Sequence, residues 1–171
     1  MRFKDILLVI SAISILFITS CTDVGRRPKS EACLEKLAIP IFKNRTNQPD
    51  IENIITQKLV QDFLVDGRMG IVDKEEANIV LQGTVVKYIL EPLLFDINDT
   101  PQQYKLRIIL RIALKNVKAG KTLWSEDNFE ESTTYYVDND RGITPEDEAT
   151  ARGRVVESLT QKILRRVIEE F

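Results

Sequence analysis

The chain has 171 residues, 43% of them hydrophobic and 29% charged, with a formal net charge of −2. That suffices for one domain with a real core, and the mild acidity argues against a dedicated nucleic-acid binder. There is no histidine and there are only two cysteines, which removes the commonest general base, the commonest metal ligand and any disulfide framework.

Arg2 and Lys4 precede an apolar run from Ile6 to Ile18, interrupted by two serines, and Ile18-Thr19-Ser20-Cys21 then reads as a lipobox. The run is short for a membrane span and ends at small residues, as a cleaved lipoprotein signal does. Residues 1–20 are therefore expected to be a signal peptide, and Cys21 the lipidated first residue of the working protein. Several acyl chains on Cys21 would anchor it stably, at about 0.8 kcal/mol per buried methylene. Thr22 follows the cysteine where an aspartate would favour the inner membrane of enteric bacteria, so the outer membrane, on its periplasmic side, is expected. Removing the segment's net charge of +1 leaves about −3 on the remainder.

Residues 21–33 are polar and aperiodic and read as a lipidated tether to a single domain over 34–171. Cys33, left as an odd cysteine in an oxidising compartment, reads either as a thiol that pairs between chains or, better, as a small apolar residue entering a strand. Leu34 to Phe42 is a strand candidate interrupted by Pro40, which suggests an edge position. A loop covers 43–49. Asp50 then stands as the cap of a helix over about 51–66, with Ile51, Ile54, Ile55, Leu59 and Phe63 on one stripe and Gly67 as its stop. A short strand over 69–72 and a polar turn over 73–78 follow.

Two long strands come next, over 79–91 and 103–117, joined by a wide polar loop at 92–102. In the second, Tyr104, Leu106, Ile108, Leu110, Ile112 and Leu114 face one way, while Lys105, Arg107, Arg111 and Lys115 face the other. Period two with one charged face means a half-buried sheet. Gly120 turns the chain into a last strand over 122–136. A final helix is expected to be capped by Thr144, with Pro145 in its first turn, and to bury Ala149, Val156, Leu159, Ile163 and Val167. The order predicts an α+β fold: two helices packed on one face of a mixed, roughly four-stranded sheet.

The sequence offers no Gly-rich phosphate loop, no metal-ligand cluster and no nucleophile with a histidine partner. Neither an enzyme nor a cofactor is expected. Arg107 and Arg111 form a basic stripe that reads either as a solvated sheet face or as a surface for an anionic lipid or an acidic wall.

Leu37-Ala-Ile-Pro-Ile-Phe-Lys-Asn-Arg-Thr46, Ala77-Asn-Ile-Val-Leu-Gln-Gly83, Glu91-Pro-Leu-Leu-Phe-Asp96, Gln103-Tyr-Lys-Leu106, Gly120-Lys-Thr-Leu-Trp124 and the closing Glu169-Glu-Phe171, in that order and behind a lipobox, resemble the LptE family. The resemblance implies two helices on a four-stranded sheet. It also implies a lipoprotein that catalyses nothing, plugs and helps assemble the β-barrel LptD, and contacts lipopolysaccharide through basic side chains at the loop end of the sheet. Here the loop before Tyr104 carries Asp96 and Asp99 and no Lys or Arg, and the later loop offers Arg141. Arg107 and Arg111 are the alternative contacts. A second resemblance, to LpoB-like synthase activators and CsgG-like secretion pores, rests on Ala38-Ile-Pro-Ile-Phe42 and the Gly120-Lys121 turn. The charged faces of both long strands disfavour a pore, since lipid does not tolerate them.

Overall fold

The structure, a computed structural model, describes residues 35–138 and 142–171. The signal segment, Cys21, the tether, Cys33 and Arg141 lie outside the described residues. The elements run β1 (Lys36–Ala38), β2 (Lys43–Asn44), α1 (Ile51–Asp66), β3 (Gly70–Ile71), β4 (Ile79–Phe95), β5 (Pro101–Asn116), β6 (Lys121–Tyr136) and α2 (Glu148–Ile168). The α+β class is as expected, but the sheet has six strands rather than roughly four. Pro40, which has no N–H to give a ladder, splits the first strand into β1 and β2, and the two-residue β3 adds another.

The sheet order is β3-β1-β4-β5-β6, with β2 also on β4. β1 lies parallel to β3 and to the start of β4, and β2 lies parallel to β4 at Lys43↔Thr84. β4, β5 and β6 form an antiparallel meander. At 16 residues, β5 extends roughly 50 Å. Both long strands run further than expected: the predicted loop over 92–102 shrinks to a turn between Phe95 and Pro101. Pro92 sits in the half of β4 that β1 and β2 do not reach, opposite Tyr104 of β5 and next to a register shift, and such an edge position tolerates a residue without an N–H.

α1 keeps its predicted bounds, and Gly67 ends it in the left-handed region at φ 70°. Ile51, Ile55, Leu59 and Phe63, four residues apart, are fully buried. Asp50 precedes the helix at φ 66° and its side chain caps no backbone N–H; it accepts instead from the Asn53 amide at 2.7 Å. α2 buries Ala151, Val155, Leu159, Ile163 and Val167, again at four-residue spacing. Its cap is Asp147, which accepts from the Thr150 N–H at 2.8 Å, and not Thr144. The cause lies upstream. The Glu146 N–H donates to the Tyr136 carbonyl at 2.7 Å and Arg154 grips the Glu146 carboxylate, so the chain stays extended along the sheet until Asp147. Ala149, expected on the apolar stripe, is consequently exposed.

Both helices cover one face. From β5 that face receives Leu106, Ile108, Leu110, Ile112 and Leu114, all fully buried. From β4 it receives Ile79, Leu81 and Val85. At Val86 the register slips by one residue, so beyond it the even-numbered side chains turn toward the helices. This bulge brings the Tyr88 hydroxyl to donate to Glu148 at the head of α2, at 2.6 Å. Burial, and then that hydrogen bond, raise the Tyr88 phenol well above its ordinary value.

Candidate functional site

The opposite face of the long meander carries no helix. Its row on β5 is Lys105, Arg107, Ile109, Arg111, Ala113 and Lys115, as the alternation predicts. Ile109 lies on this face yet is only 8% exposed. Its same-face neighbours are Arg107 and Arg111, and its cross-strand partners are Lys87 and Glu130. Long charged side chains with aliphatic stems can shield such a residue while their heads stay in water.

The two arginines read from the sequence are brought together on this face, and each meets an acid from β6. Arg107 Nη1 stands 3.7 Å from the Glu130 carboxylate, and its Nε is buried without a partner. Arg111 Nε donates to Asp127 at 2.7 Å. A bulge permits the second pair: between Leu110↔Phe129 and Ile112↔Glu126, β6 spends one residue more than β5, which sets Asp127 opposite Arg111. Both arginines thus belong to ion pairs at a half-exposed surface, and only part of their charge is left for another anion.

The far end of the meander is different in character. Asp96 Oδ1 accepts from the N–H groups of Asn98 at 2.7 Å and Thr100 at 2.8 Å. The Thr100 N–H, and then that of Asn98, hold the Asp96 carboxyl below its ordinary value. Asp96 is therefore the lock of the turn. At this end stand exposed apolar side chains: Leu93, Phe95, Ile97 and Val137. Phe95, Ile97 and Tyr136 line a hollow there, together with Asp96 and Asp138.

At the near end, the turn after β3 folds over the helix-free face and buries Val80 under Val72, Ala77 and Ala38. Beside it opens a cavity of about 450 Å³, lined among others by Lys43, Lys74, Gln82, Thr84, Arg111 and Lys115. No carboxylate lines it. Lys43 reaches it because β2 pairs with β4: Lys43, Thr84 and Arg111 form one row across three strands. Sequence reasoning missed Lys43 and Lys74, since nothing in a two-residue strand or a polar turn announces where its lysine will stand. Among the described residues no group of three or more acidic, histidine or cysteine side chains could hold a metal ion, and no helix is long and apolar enough to cross a membrane.

A family model described as LptE, lipopolysaccharide-assembly, matches residues 34–167. No curated protein matches the sequence. Among solved structures, the chain is similar to protein XCC0632 of Xanthomonas campestris, with 9% identity, 79% of this chain and 84% of that one covered, and a TM-score of 0.56. It is also similar to the hypothetical protein CT253 of Chlamydia trachomatis, with 9% identity, coverage of 77% and 94%, and a TM-score of 0.53. The rare lipoprotein B of Shewanella oneidensis aligns at 15% identity over 78% of this chain and 97% of its own, with a TM-score of 0.48. The first two likenesses are of fold.

Proposed function

Given that the chain belongs to the LptE lipopolysaccharide-assembly family, we propose that it is a lipid-anchored outer-membrane protein that seats in an LptD-like β-barrel and assists the barrel's assembly for lipopolysaccharide export. The observation that carries this reading is the family match, which spans the domain from β1 to the last turn of α2. Cys21 would hold the acyl chains on the periplasmic side of the outer membrane, and the domain would act by shape and interface, with no reaction and no cofactor.

Two features of the surface agree with a seat inside a barrel. The helix-free face is polar and carries paired charges at Arg107–Glu130 and Arg111–Asp127, which suits a water-filled barrel interior. The far turn exposes a group of apolar side chains, Ile97 among them at 99%, and such groups mark contact surfaces. Arg107 and Arg111, with Arg141, are the proposed contacts for lipopolysaccharide, though the acids opposite the first two weaken them as isolated anion sites.

Depleting the chain in its own cell tests the assembly role. The LptD-like barrel should then fall in abundance and lose its compact, heat-sensitive migration on a gel, while other barrels keep theirs. An unchanged barrel would remove the assembly role.

A further inference from the structure

We propose that the free edge of β4 beyond Val86 is a dimer seam, at which a second copy of this chain adds its own β4 in antiparallel register. β1 and β2 pair with β4 only as far as Val85, and from Lys87 onward its single neighbouring strand among the described residues is β5. Alternate residues of that half therefore turn their N–H and C=O groups to a side without a strand. Such a row is a template for one more. Room lies beside it: a groove of about 470 Å³ runs between Val86–Leu90 and the loop from Arg45 to Gln48.

The residues of the edge specify the occupant. Lys87-Tyr88-Ile89-Leu90-Glu91 is self-complementary about Ile89. Two copies paired antiparallel, with Ile89 opposite itself, set Lys87 against the partner's Glu91 and Tyr88 against the partner's Leu90. The bulge at Val86 turns Lys87, Ile89 and Glu91 to the helix-free face, so both charge pairs fall on one side of the seam. Tyr88 and Leu90 fall on the helix side, where Leu90 is 38% exposed. Opposite charges directly across two strands attract, and like charges repel. Neither Lys87 nor Glu91 has an ion pair among the described residues, so both are available. A lone lysine would guard an edge against pairing. Glu91, two side chains further on the same face, makes that guard half of a match. The match is also bounded. Pro92 comes opposite the partner's Val86, and the irregular stretch from Pro92 to Leu94 lets the strand leave the ladder there, short of the partner's β2. The seam joins two antiparallel meanders into one sheet about a two-fold axis, a closed contact that calls for no third copy. It describes the chain when no barrel holds it, and it does not rest on the barrel reading.

The test follows the full lipidated chain by sedimentation equilibrium in a density-matched neutral detergent, where a concentration-dependent dimer is expected. Lys87→Glu puts acid against acid at both ends of the seam, and Glu91→Lys puts cation against cation. Each should weaken association at least tenfold. One chain carrying both changes regains opposite signs and should return to within about threefold of the unsubstituted chain. An equimolar mixture of the two single variants should do the same, since each supplies the charge that the other needs. A merely misfolded variant would be rescued by neither. In a Cys33→Ser background, Ile89→Cys should form a disulfide-linked homodimer on mild oxidation, in purified protein and in membranes of its own cell. The register brings residue 89 opposite itself, with α-carbons about 4.5–5.5 Å apart, within reach of a disulfide. Leu93→Cys, exposed further along the strand, should not. The proposal is overturned if the unsubstituted chain stays monomeric, if the single variants associate as well as it does, or if neither the double variant nor the mixture recovers. A link from residue 89 to a different protein, or equal linking at 93, overturns it too. None of these outcomes alters whether a barrel is held, so the two readings fail separately.

Discussion

Gly83 shows how tightly a single residue is specified. It sits on the helix side of β4, and a Cβ built there would fall within the Phe42 ring. That ring is 3% exposed, and the Phe42 N–H donates to Thr56 on α1 at 3.0 Å, so the residue is held in place. Gly83→Ala should therefore destabilise the domain by about 1–3 kcal/mol. Adding Phe42→Leu should return part of that loss, so that the pair costs less than the sum of its members. Urea unfolding followed by the fluorescence of Trp124, the sole tryptophan and 9% exposed, reads both. Equal and additive costs would show that the ring does not occupy that space. The alternation of β5 made the facing of Arg107 and Arg111 legible in the sequence. Their partners were not, because Asp127 meets Arg111 only through a bulge that no periodicity encodes.

At the scale of elements, α2 is fixed to the sheet, at β4 and at the outer strand β6, by polar contacts beside its apolar stripe. Tyr88 holds Glu148, Lys162 pairs with Glu131 of β6, and the Arg166 guanidinium lies 5.5 Å from the centre of the Trp124 ring. Burial on its own would raise the Glu131 carboxyl; Lys162, Ser158 and the Ser132 N–H outweigh it and hold the group below its ordinary 4.5. Its contribution is therefore complete above about pH 4.5 and is lost as pH falls through the lower folded value. Glu131→Gln should cost about 1 kcal/mol at neutral pH, a modest sum because Lys162 is half in solvent. The cost should shrink toward zero as both proteins are acidified. A difference independent of pH would assign the effect to packing. The long strands were readable because their side chains alternate with period two, most sharply on β5, where apolar Leu106 to Leu114 alternate with a row carrying Lys105, Arg107, Arg111 and Lys115. The start of α2 was misread because Thr144-Pro145 mimics a helix entry, whereas Glu146, tied to Tyr136 and Arg154, holds the chain out of the helix. The split at Pro40 was visible as a break but not as a second strand. β2 exists only by pairing with the middle of β4, and that pairing carries Lys43 to the cavity.

At the scale of the molecule, the domain is an elongated meander shielded by helices on one face and left open on the other. β6 closes the sheet with no strand beyond it among the described residues, and Glu126, Asp127, Glu130 and Glu131 along it discourage pairing with another copy. The open face, the apolar far turn and the cationic cavity are three surfaces that the fold does not consume, which fits a protein that works inside a partner. Tagged protein extracted in mild detergent from the membranes of its own cell, with every co-purifying protein identified, tests that most directly. A large β-barrel recovered in equal amount is the expected result. Recovery with a peptidoglycan synthase, or alone as a closed ring, would contradict the account.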